Sequence, residues 1–291
     1  MRFVEIAAPD FDLEKTLNSG QVFHWEAAGR GFAGTIGDVA VYLEQHRDKL
    51  RVNGTRPELI RNYFALDHSL SDICRSFPND DAMNAATKFC RGLRIIRQPK
   101  WECLAMFICS SMKQVAHIRQ ISQKLRERFG EQRKIANRVV YTFPPPDSVA
   151  NSSEAELRKC ALGYRAKNLL ATARLVRSGD ADLEVWSDLA DADLRERLCS
   201  LPGVGAKVAN CVMLFAYERL RAFPIDVWIE RVLREHYFPK ARKLNAARLR
   251  RFTEGYFGEH GGYAQQYLFH HARTNKGGRR EGSPSMTSAR D

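Results

Sequence analysis

The spacing of hydrophobic residues along this chain changes at about Trp101. Before that point, β-forming runs separated by glycines, such as 21–25 and 39–43, predict an antiparallel sheet between residues 20 and 52. The run at 48–52 leads into Asn53-Gly54, a dipeptide that favours a tight turn. Helices are predicted near 56–64 and 80–89.

Beyond Trp101 the hydrophobic residues recur at the period of an amphipathic helix. One helix is predicted over 207–217 and another over 227–236, and the residues expected to be buried on them are Val208, Cys211, Val212, Phe215, Ile229, Val232, Leu233 and His236. Other helical patterns begin at Leu104 and Ile118 and cover 154–160, 166–176 and 191–199. The three prolines at 144–146 predict a loop.

These patterns together predict an α+β fold. An N-terminal antiparallel β-sheet domain with helices is assigned to residues 1–97, and an all-helical domain to residues 98–275. Residues 276–291 are rich in Gly, Ser and Arg and show no periodicity, which predicts a disordered tail. With 44% hydrophobic residues among 291, the chain can fill a substantial core.

Charge and cysteine usage narrow the function only slightly. Lys and Arg total 46 against 34 Asp and Glu, a net charge of +12 that favours a polyanionic partner such as nucleic acid. The seven cysteines contain no CxxC pair, so neither a zinc ribbon nor a disulfide framework is indicated, and no metal or cofactor is expected. The acidic N-terminus has no signal-peptide pattern, and no apolar run is long enough to span a membrane.

The most informative segment is Leu201-Pro202-Gly203-Val204-Gly205-Ala206-Lys207. Gly203 and Gly205 permit a tight turn between two helices, and the free N–H groups that begin the second helix can bind a DNA phosphate without reading sequence. The same segment is compatible with an ordinary helix connection that is closed by glycine. The hairpin alone leaves these two interpretations open.

Downstream of the hairpin, Asp226 follows Phe223-Pro224-Ile225 and precedes the next predicted helix. Asp226 is compatible with a simple N-cap, and Lys207 with a solvated surface lysine. An amine nucleophile must be uncharged, and a close carboxylate opposes that state. If the two residues act together, we therefore expect them not to form a tight ion pair.

The hairpin followed by Pro-Ile-Asp resembles the helix–hairpin–helix glycosylases, and specifically the 8-oxoguanine DNA glycosylases. The resemblance covers nearly the whole chain. Residues 17–25 (LNSGQVFHW) are similar to that family's N-terminal signature, and three further segments match in order, at 107–111, 162–166 and 263–269. It implies a TBP-like sheet domain at 1–97 and a helix–hairpin–helix glycosylase domain at 98–275.

The resemblance implies a base excision repair enzyme that flips 8-oxoguanine out of duplex DNA. Lys207 would attack the sugar, form a Schiff base and allow β-elimination, and Asp226 would offset the charge that develops on the sugar. The base would be read by the Gly20 carbonyl, which accepts the N7–H of the oxidised base, and by the side chains of Gln265, Phe269, Cys211 and Phe215. Taken singly, each of these residues also suits a turn, core or surface role.

The family pattern implies DNA contacts at Gly203, Gly205, Val208, Trp228, Lys113, His117, Tyr164 and Arg165. Met112 replaces an asparagine, His117 an arginine that reads the opposite cytosine, and Trp228 a histidine near the 5′ phosphate. We therefore predict weaker discrimination among bases opposite the lesion than in typical relatives of the family.

The expected partner is double-stranded DNA that contains an oxidised purine, bound by a monomer. The protein would work in a bacterial cytoplasm or in a nucleus and is not expected to be secreted. Two alternatives remain at this point. One is a relative acting on oxidised pyrimidines or alkylated bases, against which the missing cysteine cluster and the presence of Lys207 argue. The other is a non-catalytic DNA-binding module.

Overall fold

The computed structural model describes residues 3–277, with side chains as far as Asn275. Its N-terminal part is a five-stranded, fully antiparallel sheet with the strand order β1-β5-β4-β3-β2. The hydrogen-bonded register pairs Leu43 with Val52. The strands are β1 Val4–Ala7, β2 Glu26–Ala28, β3 Gly31–Ile36, β4 Val39–His46 and β5 Lys49–Asn53.

Four short helices accompany this sheet, of which the first two pack on the sheet core and the last two pack in the core of the helical part. They are α1 Leu13–Asn18, α2 Pro57–Tyr63, α3 Leu70–Arg75 and α4 Asp81–Phe89. Alternate residues of β4 and β5 point inwards, so Val41, Leu43 and Leu50 are buried in one core with Ile60 and Phe64. The helices predicted near 56–64 and 80–89 are confirmed.

The remainder of the described chain is helical apart from one hairpin. Its elements are α5 Lys100–Ser110, α6 Val115–Phe129, β6 Gln132–Ile135, β7 Arg138–Tyr141, α7 Pro146–Ala150, α8 Glu154–Arg158, α9 Arg165–Ser178, α10 Asp191–Cys199, α11 Ala206–Ala216, α12 Val227–Val232, α13 Ala246–Tyr256 and α14 Gly261–Gly277. Helix α5 is buried on all sides from Glu102 to Ser110, and α9 and α11 pack against it. An α+β fold with an N-terminal antiparallel sheet is confirmed.

A buried polar cluster joins the sheet to the helical part. Arg126 of α6 forms an ion pair with Glu102 of α5, and both side chains are buried. Arg126 also donates to Thr35 Oγ1 of β3 at 2.9 Å, and His24 Nε2 lies 2.8 Å from the Thr35 carbonyl oxygen. Because each buried charge has partners, the cluster fixes how the sheet is oriented on the helices without leaving an unpaired ion.

Helix α14, the last helix of the described chain, packs against α4 of the N-terminal part. The two predicted domains therefore share packing, and the boundary after residue 97 stays a prediction. The predicted tail, residues 276–291, lies outside the described residues, except that the backbone of residues 276 and 277 continues α14. No helix within 3–277 is long and apolar enough to cross a membrane.

Several local predictions were wrong or incomplete. Residues 21–25 form no strand, because buried Gln21 uses its side-chain amide to donate to Arg94 O at 2.8 Å and to accept from Ile96 N at 2.8 Å. Pro146 does not continue the loop but starts α7. His236 is exposed rather than buried, since a π-helical turn over Leu233–Tyr237 changes the period after α12.

Candidate active site

The predicted hairpin joins α10 to α11. Gly203 has φ +81°, and a Cβ atom there would lie 2.8 Å from Cβ of Asn168 on α9, so a side chain is excluded by both strain and contact. Gly205 is the N-cap of α11 and provides no side-chain cap, and a Cβ there would meet nothing within 4 Å. The first N–H groups of α11 therefore have no capping side chain, and the space beside the N-cap is open, as binding of an anion would require.

Lys207 lies in the first turn of α11 and is half-buried rather than fully solvated. Its Nζ is 5.0 Å from the centroid of the Phe107 ring of α5. No ion pair joins Lys207 to Asp226 within the described part of the chain, as we expected. The neighbours of the amine are therefore the Phe107 ring and the Cys211 thiol rather than a carboxylate.

Asp226 is the N-cap of α12, and its Oδ1 accepts from the backbone N–H of Trp228 at 3.0 Å and of Ile229 at 2.9 Å. Both bonds use one oxygen, so the cap fixes the direction of the carboxylate and leaves Oδ2 for other contacts. Burial raises the pKa of Asp226 above its ordinary value, although the two backbone bonds and the Lys207 charge oppose the rise.

All seven residues predicted for catalysis and base recognition line one cavity of about 40 Å³. They are Gly20, Lys207, Cys211, Phe215, Asp226, Gln265 and Phe269, and the sequence reasoning did not assign the other three lining residues, Phe107, Pro224 and Gln266. All three belong to segments that it had quoted. Phe107 and Phe215 stack with centroids 5.5 Å apart and an interplanar angle of 9°. A cavity of this size has room for only a few water molecules, so a purine base requires its walls to move apart.

The segment 18–21 forms one wall of the cavity. The carbonyl of Asn18 accepts from Arg273 at 2.5 Å, that of Ser19 from Gln266 at 3.1 Å, and that of Gln21 from Gln98 at 2.8 Å. Gly20, with φ +89°, is the one residue of the segment whose carbonyl accepts no hydrogen bond from residues 3–277. A free carbonyl in a cavity wall is an acceptor available to a ligand.

Two other groups of the cavity have notable chemistry. Gln265 is buried, and its Oε1 has no hydrogen-bond partner within residues 3–277. Leaving such a group unpaired costs about 1–3 kcal/mol, which a bound polar ligand would recover. Burial raises the pKa of the Cys211 thiol to about 11 despite the opposing charge of Lys207. Cys211 is therefore a neutral thiol at pH 7 and an apolar wall rather than a nucleophile.

The predicted DNA-contacting residues are distributed around the surface near α5, α9 and α11. Tyr164 is 57% exposed at the start of α9, whereas Arg165 is buried and donates from Nε to Ser111 O at 2.8 Å. Arg165 must exchange that bond to reach a base. The Val208 side chain is also buried, so only its backbone N–H is available to DNA.

Of the positions that depart from the family pattern, Met112 lies in the loop between α5 and α6, His117 on α6 and Trp228 on α12. Met112 is 92% exposed and has φ +53°, an unusual value for a residue with a side chain. Lys113 is half-buried, and His117 is exposed on the first turns of α6. On α12, Trp228 is half-buried with the Arg231 guanidinium 5.4 Å from its ring centroid.

Within residues 3–277, no group of three or more His, Cys, Asp or Glu side chains could hold a metal ion.

Comparison with known families agrees with this geometry. Residues 105–255, which contain the hairpin, Lys207 and Asp226, match the HhH-GPD superfamily of base excision DNA repair proteins, and the chain belongs to that superfamily. Residues 3–104 match the N-terminal domain of 8-oxoguanine DNA glycosylase. The predicted membership of the 8-oxoguanine DNA glycosylases, and with it the enzyme class of bifunctional DNA N-glycosylase and lyase, is confirmed.

Individual relatives cover nearly the full length. The chain is 29% identical to N-glycosylase/DNA lyase OGG1 of Arabidopsis thaliana, over 91% of this chain and 78% of the relative. A solved structure of MBOgg1 with a low-affinity DNA ligand has 30% identity and a TM-score of 0.89, covering 95% of this chain and 100% of that one. The 8-oxoguanine glycosylase/lyase of Clostridium acetobutylicum, solved with double-stranded DNA containing cytosine opposite 8-oxoG, has 27% identity and a TM-score of 0.88, with coverage of 95% and 99%.

Proposed function

We propose that this protein excises 8-oxoguanine from double-stranded DNA with Lys207 as the nucleophile and then nicks the strand at the abasic sugar. The observation that carries the proposal is that Lys207, Asp226, Gly20, Gln265 and Phe269 line a single cavity, although they come from four separate segments of the chain. Duplex DNA as the substrate follows from the family and from the relatives solved with DNA.

In the first step the Lys207 lone pair forms a bond to C1′ of the sugar while the bond from C1′ to the base breaks. The bonding electrons leave with the base, which takes up a proton. The sugar ring then opens to a Schiff base, and loss of a proton from C2′ expels the 3′ phosphate by β-elimination. The Nζ of Lys207 lies 5.0 Å from the centroid of the Phe107 ring, and within residues 3–277 no carboxylate forms an ion pair with it, so the nitrogen is available to the sugar.

Asp226 acts on the sugar rather than on the base. Positive charge develops at C1′ as the base leaves, and a fixed, partly buried carboxylate opposes that charge more strongly than one in water does. The N-cap bonds to Trp228 and Ile229 hold this carboxylate in place before the substrate arrives. No reorganisation is then needed at the moment of reaction.

Recognition of the lesion depends on one hydrogen bond that undamaged guanine cannot make, the bond from N7–H, and a second bond to the Watson–Crick edge selects a guanine-type base. The free Gly20 carbonyl accepts the N7–H of 8-oxoguanine, and the unpaired Gln265 Oε1 accepts from the Watson–Crick edge. Phe269 stacks on one face of the base, and Cys211 with Phe215 closes the other. The backbone N–H groups at Gly203, Gly205 and Val208 hold the phosphates, and Lys113, His117, Tyr164, Arg165 and Trp228 contact the remaining duplex.

Borohydride trapping on a duplex with 8-oxoguanine opposite cytosine tests the nucleophile. We expect a covalent adduct with the wild type and with Lys49→Gln, an exposed lysine of the sheet that pairs with Glu5, and no adduct with Lys207→Gln. An adduct that persists in Lys207→Gln would refute the assignment of the nucleophile. Binding of the duplex without excision would instead favour a non-catalytic DNA-binding module.

A further inference from the structure

Arg273, which none of the predicted roles includes, connects the two walls of the cavity. It lies on α14 one turn beyond Phe269, and its Nη2 donates to the Asn18 carbonyl at 2.5 Å. Its guanidinium carbon is 5.4 Å from the centroid of the Phe269 ring. A Cβ atom on Gly20 would lie 2.9 Å from Arg273 Nη1 and 3.1 Å from Phe269 Cε1, so the three residues are in close contact.

The contact with Asn18 fixes the segment that presents the Gly20 carbonyl. Asn18 is held twice, because its side-chain Oδ1 accepts from Arg119 of α6 at 2.7 Å while its carbonyl accepts from Arg273. Removing the Arg273 bond would leave Asn18 attached to α6 alone, and the Gln266 bond to the Ser19 carbonyl would still join the segment to α14. The carbonyl of Gly20 would then be held less firmly relative to Phe269.

The contact with Phe269 constrains the aromatic wall. A guanidinium plane stacks on an aromatic ring with its face and donates hydrogen bonds from its edge, so one arginine can hold a ring and a carbonyl at the same time. A lysine ammonium is a point charge and cannot stack in this way. A methionine side chain keeps the apolar packing but makes neither interaction.

We propose that Arg273 is a positioning residue for recognition of the damaged base: it sets the distance between the Gly20 carbonyl, which accepts the N7–H, and the Phe269 ring, which stacks on the base. This inference rests on the proposed function, but it predicts an effect on base excision that is separate from any effect on strand cleavage. Arg273 acts only where a base must be seated. Cleavage at an abasic site, which has no base, does not need it.

The test compares two duplexes, one with 8-oxoguanine opposite cytosine and one with a preformed abasic site opposite cytosine. Under single-turnover conditions, Arg273→Met should excise 8-oxoguanine about tenfold or more slowly, while its cleavage of the abasic strand stays within about twofold of the wild type. The control is Arg75→Met, which removes an exposed arginine of α3 that pairs with Asp72. It should change neither rate.

Arg273→Lys keeps the charge and a donor but not the stacked plane, and we expect it to remain at least threefold slower than the wild type in excision. Equal loss on both duplexes would assign Arg273 a general structural role and overturn the proposal, as would an unchanged excision rate in Arg273→Met. If the wild type itself cleaves abasic DNA but leaves 8-oxoguanine in place, the proposed function fails instead. The two failures are thus distinguishable.

Discussion

A glycine-to-alanine exchange at position 20 tests lesion recognition against backbone strain. Gly20 has φ +89°, and Gly179, which ends α9 on the surface, has φ +85°. Left-handed backbone costs an alanine about 1–2 kcal/mol at either position. The surroundings differ, because a Cβ atom on Gly179 meets nothing within 4 Å, whereas one on Gly20 lies 3.1 Å from Phe269 Cε1. The two variants therefore have equal strain and unequal contact with the cavity.

We expect Gly179→Ala to lose about 1–2 kcal/mol of unfolding free energy in urea denaturation, and Gly20→Ala to lose more than that, because its Cβ would also lie 2.9 Å from Arg273 Nη1. Only Gly20→Ala should lose excision of 8-oxoguanine, by on the order of tenfold, since a displacement of a few tenths of an ångström at the Phe269 wall misplaces the base. Single-turnover excision on the 8-oxoguanine duplex measures the difference. If Gly20→Ala excises as fast as Gly179→Ala, the assignment of this wall to base recognition is wrong.

Four further outcomes follow from the site. Gln265→Leu removes a buried Oε1 that has no hydrogen-bond partner within residues 3–277, so the free energy of unfolding should stay unchanged or rise by about 1 kcal/mol, as measured by thermal unfolding. The same variant should excise 8-oxoguanine more slowly, as measured by turnover. In Asp226→Asn the side chain still caps α12, so the free energy of unfolding should stay within about 0.5 kcal/mol of the wild type. Excision should nevertheless fall by about 100-fold, because the carboxylate charge is lost. Excision at the wild-type rate would remove Asp226 from the mechanism. Burial raises the pKa of Asp226 above the ordinary value of 3.8 for an aspartate, so excision should begin to decline at a pH above 3.8 as the pH is lowered. This acidic decline should be absent from the residual activity of Asp226→Asn. Because His117 stands where the family resemblance implies an arginine that reads the opposite cytosine, we expect excision rates to discriminate less among the four opposite bases than in typical relatives, and equal stringency for cytosine would contradict this.

The residues that line the cavity could be named from the sequence because the family resemblance rests on short, recognisable segments. Lys207 follows two glycines that permit a tight turn, and Asp226 follows a proline shortly before a helix, so local patterns indicate that both lie at helix N-termini. The amphipathic patterns of α10 and α11 depend only on neighbours along the chain. They were located to within one residue at either end.

What could not be predicted depends on contacts between distant residues. The hairpin β6–β7 has Ala136 and Asn137 at its turn, both with positive φ, in place of the glycine-containing dipeptides that mark such turns, and its strands gain support by packing on β3 and β4. Strand β1 is recognisable only through its pairing with β5. Arg273 and Asn18 are 255 residues apart, and no local pattern indicates that they meet.

The narrowness of the empty cavity has a consequence for inhibitors. A compound shaped like the target base must separate Phe269 from the opposite wall without help from a bound duplex, so the resting enzyme offers it little affinity. Fragment screens against the free protein would then favour very small molecules. If binding of an abasic duplex moves the walls apart, screens against that complex would favour planar heterocycles, and the two sets of hits should scarcely overlap.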